Sequence, residues 1–421
     1  MLLRPLTGRV RNHISRLAYL AGMSRTPTET SDRTGPLRGL RILDLTRLLP
    51  GPLGTMLMAD MGAEVIKIEN PASPDYVRMF PPHIRGESVN YLAYNRSKKS
   101  MLLDYTSDEG REIFLKLIDT ADVLVEQFRP GHLDRLGLGY SIASARNPQI
   151  IYVSVTGYGQ TGPYAHLAGH DLNYLGLSGV LSLTGEPDQA PVIPGVQLAD
   201  IAGGSYGCVM ATLAAVYARQ RTGKGQHVDV SMTDCVMPLL SVAHALFVGT
   251  GNVPERGHMP LSGGQPNYGV YRCRDEVDPK TGKVKPRYIA LGTLEPKFWQ
   301  KFCALTERPD WLECMLPQLP GQAEECRQQI QTLIAERTQA DWVQFGTEHD
   351  LLITPVLTLD ELADDPHLDE RQMIVTQQHP VAGPIAGIGV PIKFSMTSAQ
   401  PAWPAPELGA DTEAILRELS D

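Results

Sequence analysis

The fold of this chain is narrowed first by a repeated alternation of short apolar runs and helical stretches between Arg41 and Val155. Arg41-Ile-Leu-Asp-Leu45, Val65-Ile-Lys-Ile68, Val123-Leu-Val125 and Ile150-Ile-Tyr-Val-Ser-Val155 read as strands. Between the first two, Pro50-Gly-Pro52 opens a helix through Met61, because a proline in the first turn withholds an N–H that no helix carbonyl needs. Gly62 ends it. Ser107 to Thr120 reads as a second helix, with Thr106 or Ser107 as N-cap and Ile113, Leu115, Leu117 and Ile118 as apolar positions. Strands separated by helices pair in parallel through crossovers, so the expected fold class is α/β, a parallel sheet covered by helices.

Past Asp200 a small-residue helix is expected to about Arg219, then a strand at Val228–Ser231 and a long apolar helix from about Cys235 to Val248. Near Gly249 the texture changes. Gly251 to Pro266 is rich in Gly and Pro and reads as a linker. From Tyr268 to about Gln377 a smaller domain is expected, with a strand at Tyr288–Leu291 and helices near Pro296–Leu305, Ala323–Arg337 and Ala340–Phe345. Arg274 to Lys283 reads as a hairpin excursion and Gly409–Leu419 as a short terminal helix. A length of 421 residues exceeds one ordinary core. The expected division is an N-terminal extension 1–35, a large domain 36–248 and a small domain with linkers 249–384.

A net charge of −9 argues against nucleic acid as the main partner, since phosphate contacts need a basic surface. The 6 cysteines contain no C-x-x-C pair, so they form neither a disulfide framework nor a zinc ribbon and point to a reducing compartment. No apolar run reads as long enough for a membrane span, and no membrane association is expected. Met1 to about Thr28 carries Arg4, Arg9, Arg11, Arg16 and Arg25 and no acidic residue, which resembles an organellar transit peptide. The plainer reading is a bacterial extension, or a start placed early with Met23 as the true one. The cytoplasm is the expected location, or the mitochondrion if the segment is a transit peptide.

Two segments carry candidate chemistry. Leu167–Val180 delivers His170 and Leu198–Gly204 delivers Asp200, each at the edge of an apolar, glycine-punctuated element. An imidazole and a carboxylate could remove a proton from one face of a carbon and return it to the other. Asp171 could instead serve as a carboxylate nucleophile. The loop Gly159-Gln-Thr-Gly-Pro163 leads off the strand Ile150–Val155, and in open α/β sheets ligands sit beyond the carboxyl ends of strands. Plain structural roles compete with each assignment: a backbone carbonyl for His170, helix capping for Asp171 and Asp200. Glu295, which begins a helix, is equally ambiguous, and Gly263-Gly-Gln-Pro-Asn-Tyr268 reads as a loop. His166 and His170 lack a third ligand nearby, so no metal is expected. Asn95-Arg-Ser-Lys-Lys-Ser100 is either a solvated basic turn or a phosphate contact. There is no Walker motif and no G-x-G-x-x-G.

Taken together, these segments resemble the family III CoA-transferases, and within them the α-methylacyl-CoA racemase branch. The resemblance runs from about Leu37 to the C-terminus. It rests on Leu45-Thr-Arg-Leu-Leu-Pro-Gly-Pro52, Ala59-Asp-Met-Gly-Ala-Glu-Val-Ile-Lys-Ile-Glu69, Asn95–Ser100, Glu126-Gln-Phe-Arg-Pro-Gly131, Gly157-Tyr-Gly-Gln-Thr-Gly162, Gly169-His-Asp-Leu-Asn-Tyr174, Leu198–Gly204, Arg221-Thr-Gly-Lys-Gly-Gln226 and Leu294-Glu-Pro-Lys-Phe298. It implies a Rossmann-like large domain completed by residues 385–421, a small domain, and an interlocked homodimer with the active site between subunits. It implies His170 and Asp200 as the two bases of a 1,1-proton transfer on a 2-substituted acyl-CoA, with Glu295 supporting the histidine. The helix N-terminus near Asp171 would stabilise the enolate. In the alternative, a CoA-transferase, Asp171 forms the acyl and CoA intermediates. No cofactor is implied, because coenzyme A is part of the substrate. The CoA portion would lie along Leu103-Asp104-Tyr105 and the loop Gly169, Leu172, Asn173, Tyr174, with Arg96, Lys98, Lys99 and Arg129 near its phosphates. Asn70 stands where the racemases commonly have an arginine.

Overall fold

The computed structural model describes residues 34–278, 281–315 and 321–420, so the Arg-rich start lies outside the described residues. The expected alternation is present as β1 (Arg41–Asp44), α1 (Pro50–Asp60), β2 (Glu64–Glu69), then a strand that the sequence reading lacks, β3 (Lys99–Leu102), which takes in the end of the basic turn, and after it α2 (Asp108–Thr120), β4 (Val123–Glu126) and β5 (Ile151–Thr156). Ser107 caps α2, its hydroxyl accepting from the Gly110 N–H at 3.1 Å. Next come α3 (Asp171–Ser178), a π-helix at Ala199–Tyr206, α4 (Gly207–Thr222), β6 (Gln226–Ser231) and α5 (Met232–Val236). The small-residue helix expected past Asp200 therefore differs in its opening turns, which are π rather than α. That wider winding is found mostly as short insertions at functional sites.

The six strands form one sheet in the order β3-β2-β1-β4-β5-β6, parallel throughout. Leu43, Ile66, Met101 and Leu124 from the sheet share one buried core with Phe114, Leu117 and Ile118 of α2. Each side chain of this kind contributes about 1.5–3 kcal/mol when fully buried.

The chain divides into two compact units. One holds residues up to Ser178, Val196–Pro238 and the chain from Ala363 onward; the other holds Gly179–Gly195 and Leu239–Leu362. The boundary expected at 248 falls instead at Pro238, the return expected at 385 falls at Ala363, and the segment 179–195 leaves the first unit. Proline supplies the reason for the first shift. The long helix expected from Cys235 is broken into α5, a 3₁₀ turn at Met237–Leu240 and α6 (Ser241–Thr250), and Pro238 sits in the break with no N–H to donate.

The second unit is built on an antiparallel sheet of β7 (Tyr268–Arg272), β8 (Tyr288–Gly292) and β9 (Ile353–Pro355), with β8 in the middle. Helices α7 (Pro296–Leu305), α8 (Gln322–Ile334) and α9 (Gln339–Glu348) supply Trp299, Phe302, Ile330, Ile334 and Trp342 to a core that also holds Ile289, Leu291 and Trp311. The expected hairpin pairs Glu276–Val277 with Val284–Lys285. Cys314 and Cys326 form a disulfide inside this core, a pairing that the cysteine spacing does not suggest. Cys208, Cys235, Cys273 and Cys303 are free thiols.

In the first unit, β10 (Ile374–His379) and β11 (Gly383–Ile388) form a hairpin, and α10 (Thr412–Glu418) returns to the sheet. The Ser100 N–H donates to the Asp411 carboxylate at 2.8 Å and the Leu102 N–H to the Thr412 hydroxyl at 3.0 Å, so the tail closes the open edge of β3. Two helical runs, Ala199–Thr222 (24 residues) and Met232–Thr250 (19 residues), are long and apolar enough to cross a membrane. This corrects the expectation that no run reaches that length. Much of the first run's apolarity comes from small side chains, among them Ala211, Ala214, Ala215 and Val216.

Candidate active site

Strand order reverses between β1 and β4, so the crevice at the carboxyl ends of the sheet opens there, and the loops that leave β1, β4 and β5 border it. The loop after β5 starts at Gly157, whose carbonyl accepts both the N–H (3.0 Å) and the hydroxyl (2.7 Å) of Thr233. A Cβ on Gly157 would stand 2.3 Å from the Tyr174 ring, so only glycine lets the loop lie against it. The Tyr174 hydroxyl donates to the Gly169 carbonyl at 2.6 Å, and its ring meets Tyr158 edge-on at 5.1 Å. Together these contacts fix the backbone on which His170 stands.

The His170 N–H donates to the Asn173 side-chain oxygen at 3.0 Å, and the His170 carbonyl accepts the Asn173 N–H at 2.8 Å. This reciprocal turn leaves the imidazole exposed at the mouth of α3. Asp171, the first residue of α3, turns inward. Its Oδ1 accepts the N–H groups of Ala199 at 2.7 Å and Asp200 at 3.0 Å. The π-helix is tied down at its other end as well: the Ser205 hydroxyl donates to the Pro50 carbonyl at 2.7 Å, and a Cβ on Gly204 would stand 2.6 Å from the Pro50 side chain.

His170, Asp171 and Asp200 form one electrostatic group. The Asp200 carboxyl is pushed up to about 6, first by burial and then by the negative charge of Asp171, while His170 pulls it down. A carboxyl with that affinity exchanges its proton close to neutral pH, as a group serving both as base and as acid requires. Glu295 lies in the second unit as the exposed N-cap of α7, and its side chain makes no capping hydrogen bond.

The residues expected around the CoA portion divide sharply. The basic turn is not a phosphate contact. The Arg96 guanidinium holds the Asp60 carboxylate at 2.8 Å and the Lys98 ammonium holds Asp44 at 3.0 Å, both buried, while Lys99 pairs with Glu64. Burying these cations demands partners, and the partners come from β1, α1 and the start of β2. Leu103 and Tyr105 are buried in the sheet core. Asn70 is buried and donates to the exposed Asp104 carboxylate at 2.9 Å. Arg129, Leu172 and Asn173 are exposed, with Gly169 half-buried beside them and Tyr174 buried.

Sequence reasoning passes over Arg47. It leaves the loop directly after β1, reaches Ser73 at 3.4 Å, and lies over the Phe128 ring at 5.5 Å, so it bridges the loops on the two sides of the strand-order reversal. Its position just beyond a strand's carboxyl end is the available signal. A separate cavity of about 330 Å³ lies behind the β4 loop, lined by Glu126, Asp134, Tyr140, Ser154, Gln160 and His227 among others, and holds neither His170 nor Asp200.

Residues 37–412 match the family model described as CoA-transferase family III. The chain is 32% identical over 401 residues to the succinyl-CoA:glutarate CoA-transferase of Mus musculus, covering 93% of this chain and 88% of that protein. It is equally 32% identical over 389 residues to the alpha-methylacyl-CoA racemase of Homo sapiens, covering 91% and 93%. Among solved structures, a CAIB/BAIF family protein from Brucella suis superposes with a TM-score of 0.77 at 32% identity, covering 92% of this chain and all of that one.

Proposed function

The chain belongs to CoA-transferase family III, and on that premise we propose that this enzyme interconverts the two configurations of a 2-substituted acyl-CoA thioester by 1,1-proton transfer. The observation that carries the reading is the pairing of an exposed imidazole, His170, with a carboxyl pushed up to about 6, Asp200, in one charged group. The thioester acidifies the α-hydrogen. His170 or Asp200 removes it, according to configuration, and the other group returns a proton to the opposite face of the enolate. The N–H groups at the start of α3 would take the enolate oxygen. Arg47 would meet the phosphates of the CoA portion, in place of the paired cations of the basic turn.

The competing reading is CoA transfer through Asp171, favoured by a transferase relative of equal identity. Against it, two backbone N–H groups on one oxygen of Asp171 draw charge from the carboxylate and weaken it as a nucleophile, although its other oxygen stays available. We assign the enzyme no cofactor, a cytoplasmic location and the interlocked homodimer, with Glu295 supporting the histidine. Exposed apolar side chains support an assembly: Tyr206, Met210, Leu213 and Tyr217 on one unit, Val242, Phe247 and Val248 on the other.

The deciding experiment incubates the protein with (2R)-2-methylacyl-CoA in deuterated water. α-Deuterium uptake with loss of chirality is expected, and His170→Ala should lower it by about 10²–10⁴-fold. Absence of exchange together with acceptor-dependent CoA transfer would replace this reading with the transferase.

A further inference from the structure

Asp171 stands next to His170 in sequence, yet its carboxylate is directed at Asp200. Oδ1 accepts the N–H of Ala199 and of Asp200 itself, the first two residues to enter the π-helix region. Such N–H groups have no partner within their own helix, and a carboxylate is the strongest acceptor a side chain can offer them. The contact spans 29 positions, so it fixes the segment carrying Asp200 to the segment carrying His170.

We propose that Asp171 is the positioning residue for Asp200: its carboxylate clamps the start of the π-helix and sets a fixed negative charge beside the neighbouring carboxyl. The inference rests on the proton-transfer reading of Asp200. It assigns to Asp171 neither nucleophilic attack nor contact with the reacting carbon.

The surroundings of Asp200 make Asp171 the right group to do this. Two charged groups act on the Asp200 carboxyl, with opposite signs: Asp171 pushes it up and His170 pulls it down. Tyr174 of α3 shares the field, but burial, then the nearby carboxylates, keep its phenol protonated. From α1, Pro50 and Gly54 meet the π-helix. From α5, Met232 meets it, and Cys235, whose thiol burial pushes up, stands against its exit at Gly207. Asp234 of α5 acts on Cys235 and not on Asp200. The Ser205 hydroxyl and the Asp200 carbonyl are 3.3 Å apart, a contact that bears no charge. Neutralising Asp171 therefore removes the negative charge that opposes ionisation of Asp200.

Two substitutions separate the clamp from the charge. Asp171→Asn keeps an oxygen that can accept both N–H groups and removes the charge. Asp171→Ala removes both. Asp200 is followed by carboxyl-carbon NMR in aspartate-labelled protein, and the Ala199 and Asp200 amides by hydrogen exchange. In the wild type the Asp200 midpoint is expected near 6. In D171N it should move down while both amides keep their protection, and the acid limb of any exchange activity should move down with it. In D171A the two amides should lose protection. An unchanged Asp200 midpoint in D171N overturns the charge role, and unchanged amide protection in D171A overturns the clamp. If D171A does not fold, D171N still decides the charge role. Both readouts are independent of turnover. A wild type that exchanges no α-hydrogen, but whose Asp200 midpoint shifts in D171N, would sink the racemase reading and leave the clamp standing.

Discussion

The Lys98 ammonium donates to the Asp44 carboxylate at 3.0 Å, and neither side chain is exposed to solvent. The same ammonium also donates to the Pro52 carbonyl at 2.9 Å and the Asn95 side-chain oxygen at 2.7 Å, while Asp44 also accepts from Thr46 and Thr55. Lys98→Met should destabilise the fold by about 3–5 kcal/mol, because Asp44 is left buried with less than its share of compensation. Chemical denaturation measures this. A loss confined to substrate affinity, with stability intact, would return Lys98 to the phosphate role.

Arg47→Ala is expected to behave in the opposite way. Its guanidinium is half-buried over Phe128 and reaches Ser73, a contact that leaves no carboxylate stranded when it is removed. Stability should change by less than about 1 kcal/mol. KM for an acyl-CoA should rise about 10- to 100-fold, the loss of one hydrogen bond to a charged group. Steady-state kinetics on acyl-CoA, with the same acyl group on a shorter thiol as control, tests whether the lost contact lies on the CoA portion.

Glu126 carries a pH signature away from His170 and Asp200. Burial pushes its carboxyl up to about 7 from an ordinary 4.5. A carboxyl that holds its proton more tightly folded than unfolded makes stability fall as pH rises from about 4.5 through about 7, by about 3 kcal/mol. Glu126→Gln does not titrate and keeps an acceptor for the Phe128 N–H, which the native carboxylate receives at 2.7 Å. Urea midpoints of the two proteins should converge near pH 4.5 and separate by pH 8, with the variant the more stable. A gap of constant size across that range would show that Glu126 titrates normally.

Met210 is 67% exposed on α4, in helical register with the exposed Tyr206, Leu213 and Tyr217, and the proposed homodimer would cover it. Met210→Lys should leave the monomer's stability within about 0.5 kcal/mol and weaken self-association. Light scattering during size-exclusion chromatography is the measurement. A wild type that elutes as a monomer at micromolar concentration would remove the homodimer from the proposal.

The sequence reported local matters well and distant ones poorly. Strands β1, β2, β4 and β5 and helices α1 and α2 are legible because apolar periodicity, an N-cap serine and a first-turn proline all act within a few residues, whereas β3 is hidden behind the cations of the basic turn. The basic turn misled because its partners, Asp44, Asp60 and Glu64, lie 35 to 54 positions away, and nothing local tells a paired lysine from a free one. Asp171 was readable as a cap. That it caps a helix other than its own was not, since the Ala199 N–H lies 28 positions on. The Cys314–Cys326 pair was equally hidden, because spacing alone does not say whether two thiols face each other.

The tail that closes β3 ties an early strand to a segment made much later. The N–H groups of Ser100 and Leu102 wait for acceptors 311 and 310 positions further along the chain. On a ribosome, the first strands emerge long before Asp411 and Thr412 do, and the edge of β3 stays open in the meantime. An open parallel edge is a template for another nascent chain. Sealing this sheet is therefore among the last events of folding, and a message truncated before the codon for Asp411 would release a protein with an early strand still unsealed.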